Sequence, residues 1–75
     1  MKLSELKIGS SGIICAVEGD VALRRRLLDM GLTPKTKVMV RKVAPLGDPI
    51  EIYLRGYELT IRKEDAGNIE INEVR

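Results

Sequence analysis

The sequence has no histidine, phenylalanine or tryptophan, and only one cysteine and two tyrosines in 75 residues. Each absence removes a class of chemistry. Without histidine there is neither an imidazole base that titrates near neutral pH nor an imidazole metal ligand. Cys15 has no partner for an intrachain disulfide, which agrees with a reducing compartment, and no imidazole to activate it. It falls in an apolar stretch and is expected to be a buried core residue. No apolar run approaches the roughly 20 residues a membrane span needs. Residues 1–6 lack the apolar core of a secretory signal, so a cytoplasmic location is expected. Thirteen Lys and Arg against eleven Asp and Glu leave a net charge of +2, too balanced a field to mark a nucleic-acid domain by charge alone.

What remains describes a small aliphatic domain. Residues 1–75 are read as a single domain of a size that buries only about 60% of its unfolded surface. A hydrophobic fraction of 44% beside 32% charged residues is a globular composition. Short helical turns are expected near residues 3–6 and 63–67. Gly9-Ser10-Ser11-Gly12 reads as a break before a first strand at 13–18, whose two faces are both mostly apolar, as in a strand with neighbours on either side.

Gly19-Asp20 then opens a helix at about residues 20–30. Asp20 is suited to accept a free backbone N–H at its start, Gly31 to supply a left-handed stop, and Pro34 follows as terminator. At 100° per residue, Val21, Leu23, Leu27, Leu28 and Met30 cover about half the circumference. Arg24 falls inside that apolar half and is expected to snorkel or meet an acid.

The second half reads as a β-meander. In the strand at 37–44, Val43 is out of phase with Val38 and Val40, which predicts a bulge near Arg41-Lys42. Pro45-Leu46-Gly47-Asp48-Pro49 forms a rigid loop. Strands at 50–54 and 57–61 flank Arg55-Gly56, and a two-residue turn pairs Leu54 with Tyr57, Ile52 with Leu59 and Ile50 with Ile61. Ile69 and Ile71 alternate along a last strand. About five strands and one inserted helix make a mainly β architecture, a small SH3-like β-barrel.

Few residues in this inventory point to catalysis. Glu18 with Asp20, Asp48 with Glu51, and Glu64 with Asp65 read as caps or solvated turns, not as the oxygen ligands of a cation site. No strand leads into a glycine-rich phosphate loop. No catalytic residue, metal ligand or cofactor site is assigned, and an enzyme is not expected. Arg24, Arg25 and Arg26 could contact phosphates, yet consecutive helix residues point 100° apart and form no single patch. Tyr53 is the one aromatic expected in solvent for base stacking. Val21 and Leu28 are left over, fit for a core edge or for docking.

Arg24-Arg25-Arg26-Leu27-Leu28-Asp29-Met30-Gly31-Leu32, then Ala44-Pro45-Leu46-Gly47-Asp48-Pro49-Ile50, Arg55-Gly56 and Leu59-Thr60-Ile61-Arg62-Lys63, together resemble the FeoA family. That resemblance runs from Leu3 to Ile71. It implies an SH3-like barrel with a helical insertion, and an accessory role in bacterial ferrous-iron uptake beside FeoB, a membrane permease with a cytoplasmic GTPase domain. Related domains at the C-terminus of iron-dependent repressors are implied as well. The candidate partner-binding residues are Arg24, Arg25, Arg26, Leu28 and Met30 on the helix and Leu46, Gly47, Asp48 and Pro49 in the loop. Two alternatives stay open: a nucleic-acid-binding barrel, and a transition-metal-binding domain of the sensor type.

Overall fold

A computed structural model describes residues 1–74. After a 3-10 turn at Leu3–Glu5 come β1 (Ser11–Val17), helix α1 (Val21–Asp29), β2 (Lys37–Val43), β3 (Ile50–Leu54), β4 (Tyr57–Ile61), the one-turn helix α2 (Lys63–Ala66) and β5 (Ile69–Val74). The strands form one antiparallel sheet in the order β4-β3-β2-β1-β5, with α1 inserted between β1 and β2. A flat sheet would be a slab one strand thick. The near-equal extents of 29 × 26 × 23 Å agree with a sheet that curls round its core. Two bulges help it bend: register slips at Cys15, between Ile14 and Ala16, and at Arg41, between Val40 and Lys42.

The core is aliphatic throughout. Leu3, Ile14, Leu27, Leu32, Val38, Ile52, Leu54 and Ile71 lose nearly all contact with solvent, each stabilising the fold by about 1.5–3 kcal/mol through removal of apolar surface from water. Thr36 is the buried polar side chain among them. Its hydroxyl is satisfied: the Arg55 guanidinium donates to Thr36 Oγ1 and to Thr33 Oγ1, each at 2.8 Å, so the tip of the β3–β4 hairpin is fastened to the loop after α1. The hairpin itself follows its sequence. Leu54 faces Tyr57, Ile52 faces Leu59 and Ile50 faces Ile61, and Arg55 and Gly56 both take positive φ (48° and 85°), the backbone a two-residue turn of matching twist requires.

Four sequence expectations need correction. The first strand begins at Ser11, because Gly12 belongs to it: a Cβ there would lie 2.7 Å from Ile71 Cδ1 and 3.1 Å from the Asn72 carbonyl, so glycine marks a close approach of β5 and not a break. The strand at 37–44 stops one residue short, at Val43. Cys15 is exposed, since the bulge at that residue turns it out of the alternation that would have buried it. Tyr57 is more exposed than Tyr53, whose ring is covered by the Arg41 guanidinium at 4.5 Å from its centroid.

Candidate functional site

Local chemistry sets both ends of α1. Asp20 Oδ1 accepts the Leu23 N–H at 2.8 Å, satisfying a donor that has no carbonyl within the helix. At the other end Gly31 (φ 98°) reverses the chain. Leu32 N–H reaches the Leu27 carbonyl at 3.1 Å and Gly31 N–H the Leu28 carbonyl at 3.0 Å, while Leu27 and Leu32 are buried together. The Tyr57 hydroxyl donates to the Met30 carbonyl at 2.7 Å, so the hairpin closes off one of the last free carbonyls of the helix. With one face anchored by Leu27, and Leu23 and Met30 packed half-buried at the core's edge, the orientation of the remaining side chains is determined.

The predicted helix residues lie along this element but do not act alike. Arg24 is exposed, because the buried arc of α1 is narrower than half the circumference, and it neither snorkels into the core nor meets an acid. Arg25 is also exposed. Among the described residues neither has an ion-pair partner. Arg26 does: its guanidinium donates to Asp65 Oδ2 at 3.1 Å, tying α1 to α2. Leu28 and Met30 are half-buried. A groove of about 670 Å³ runs beside Val21, Ala22, Arg25, Arg26, Asp29 and Met30.

In the loop, Gly47 N–H donates to the Ala44 carbonyl at 2.7 Å and Ala44 N–H to the Pro49 carbonyl at 3.0 Å, so the turn closes on itself and the Asp48–Pro49 peptide is cis. Leu46 at its tip is 96% exposed. Gly47 (φ 88°) has open space around it. Asp48 is not free: its Oδ1 accepts the Lys63 N–H at 3.0 Å, capping α2.

The two predicted blocks therefore meet through α2, which receives Asp48 at Lys63 and Arg26 at Asp65. They do not form one cleft, as the grooves beside α1 and those beside the loop share no lining residue. The sequence marks residues 63–67 only as a helical turn. The signal available, acids at Glu64 and Asp65 within reach of an arginine-rich helix, carried no distance information.

A second charged group joins the chain's opening residues to β5. The Met1 ammonium lies 2.6 Å from Glu70, and Lys2 pairs with Glu18 and, at 3.4 Å, with Glu70. The Met1 ammonium first, and Lys2 after it, hold the Glu70 carboxyl below its ordinary range. Among the described residues no three of His, Cys, Asp and Glu gather as a metal site would require. What the outer face of α1 offers, by contrast, is aliphatic contact beside Arg24 and Arg25, which have no ion-pair partners among the described residues.

A family model described as "FeoA domain" matches residues 1–73. The chain is 39% identical over 71 residues to an Fe(2+) transport protein A/Fe(2+) transporter FeoB fusion protein of Porphyromonas gingivalis, covering 95% of this chain but only 8% of that relative's length. Of the solved structures it resembles, FeoA protein of Chlorobium tepidum shares 44% identity with a TM-score of 0.91, over 100% of this chain and 71% of that one. FeoA-like protein of Clostridium acetobutylicum shares 33% with a TM-score of 0.93, over 100% and 87%. At 24% identity and a TM-score of 0.82, over 96% of this chain and 89% of that one, Stenotrophomonas maltophilia FeoA, solved with zinc and described as an SH3 domain protein, speaks to the fold alone. The curled five-stranded sheet with its inserted helix is an SH3-like fold.

Proposed function

This chain belongs to the FeoA family of ferrous-iron transport, and from that premise we propose that it is an accessory protein that docks on the FeoB permease at its cytoplasmic face and modulates the permease's assembly or gating. The observation that carries this reading is the fusion relative, in which an FeoA-like segment and FeoB are one polypeptide. Joining two modules raises the effective concentration of their encounter, so such a fusion is favoured where the separate chains act together. Ferrous iron is in this reading the permease's cargo. No helix among the described residues is long and apolar enough to cross a membrane.

The surfaces offered for docking are α1 and the Leu46–Pro49 tip. A loop closed by its own hydrogen bonds loses little entropy when a partner orders it. Unpaired arginines accelerate encounter with a surface of opposite charge. The test is retention of FeoB, as full permease in nanodiscs and as its GTPase domain, on the immobilised chain with and without guanine nucleotide. Saturable binding that nucleotide changes is expected. Failure of both forms to bind, together with unchanged iron uptake in cells carrying Leu46→Asp and Leu28→Ala, would overturn the reading.

A further inference from the structure

Leu27 fixes which way α1 faces, and two other aliphatic residues then point the wrong way for a core. With Leu23, Leu27 and Met30 on the inner side, Val21, Arg25 and Leu28 fall on the outer side at spacings of i, i+4 and i+7, one above another. Val21 is 71% exposed and Leu28 is half-buried. Arg25 on this ridge and Arg24 beside it have no ion-pair partners among the described residues, whereas Arg26 is occupied by Asp65. Grooves run along both flanks of the ridge, and Val21, Arg25 and Asp29 line both.

We infer that this ridge receives an acidic amphipathic segment of the partner, one that lays aliphatic side chains on Val21 and Leu28 and brings carboxylates to Arg24 and Arg25. The inference rests on the docking reading above and specifies the chemistry of the docked element. Charge complementarity selects the occupant. The two free cations on the face are guanidinium groups, whose planar fork matches a carboxylate with two parallel hydrogen bonds. An anionic bilayer is the poorer fit, since recognition of lipid surfaces draws on clusters of about four to eight cations. The segment that α1 accepts is therefore a peptide with alternating aliphatic and acidic character. Arg26, which the sequence grouped with its neighbours, serves to hold the helix in place instead of meeting the partner.

Chemical-shift titration of the isotope-labelled full chain tests this with three probes: a helical peptide of Glu and Leu, one of Lys and Leu, and vesicles of phosphatidylserine and phosphatidylcholine. The Glu/Leu peptide is expected to shift amides of residues 21–29, with affinity falling as salt rises, and the other two probes to leave them unmoved. Arg24→Glu with Arg25→Glu should weaken the peptide about tenfold or more and flatten the salt dependence. Val21→Gln, at an exposed position, should weaken it severalfold and leave the salt dependence in place. Circular dichroism checks that each variant keeps its fold. Shifts scattered away from α1, indifference to the charge reversal, or equal shifts with vesicles would overturn the inference. The same variants against FeoB separate the two claims. Permease bound as tightly by Arg24→Glu/Arg25→Glu sinks the ridge and leaves docking intact, whereas a peptide seated on the ridge with no capture of permease sinks docking by FeoB and leaves the ridge's chemistry standing.

Discussion

Replacing Gly31 by alanine puts two separable loads on the joint between α1 and the hairpin. The first is backbone conformation: φ is 98°, a region in which an L side chain costs about 1–2 kcal/mol. The second is collision, because a Cβ at this position lies 2.5 Å from the Tyr57 hydroxyl oxygen. That oxygen must move, and its 2.7 Å hydrogen bond to the Met30 carbonyl is then lost, for about 1 kcal/mol more. Together the substitution should cost about 2–3 kcal/mol, a large share of a total stability on the order of 5–10 kcal/mol for a domain of this size. Tm should fall by roughly 10–20 °C. Urea unfolding followed by far-ultraviolet circular dichroism measures it, with an unchanged m value as the sign that only stability moved. Tyr57→Phe alone should cost about 1 kcal/mol, and in that background Gly31→Ala should cost only the backbone part, giving a coupling of about 1 kcal/mol between the two sites. Equal costs in both backgrounds would refute the collision. A cost below about 0.5 kcal/mol for Gly31→Ala would refute the helix stop itself.

Two further outcomes follow from the charge and thiol positions. Because Glu70 has its folded pKa depressed below 4.5, its contribution to stability is present above that value and lost as pH falls through the folded pKa. Glu70→Gln should therefore flatten the acid limb of a stability–pH curve; a limb of unchanged slope would remove Glu70 from the account. Cys15, exposed at the bulge, should react with a thiol reagent in the native protein at a rate close to that after unfolding. Labelling that appears only in denaturant would return it to the core.

How far each feature could be read in advance depended on whether its cause was local. The β3–β4 hairpin was legible because a two-residue turn and strict alternation on both sides demand the same register. Asp20 and Gly31 announced the helix ends, as capping involves only neighbours in sequence. The bulge at Arg41 showed itself because Val43 broke the phase set by Val38 and Val40. The bulge at Cys15 left no such trace. Ile13, Ile14, Ala16 and Val17 are apolar in either phase, so a slip of one residue alters nothing in the pattern while it turns the thiol into solvent. Gly12 misled for a related reason, since what holds it in the strand is the proximity of Ile71 on β5. In the candidate site the residues were legible and their division of labour was not. That Arg26 is held while Arg24 and Arg25 are free depends on Asp65, 39 residues further along, and no periodicity within α1 encodes it.

The scarcity of aromatic side chains, together with the bond from Tyr57 to Met30, makes the protein its own spectroscopic reporter. With no tryptophan, all of its intrinsic ultraviolet emission comes from two phenol rings. One lies under the Arg41 guanidinium on the sheet, and the other is fastened by its hydroxyl to the last turn of the helix offered for docking. Any ligand that shifts that turn against the hairpin must alter the surroundings of one of only two fluorophores, and Tyr57→Phe identifies which of them has responded.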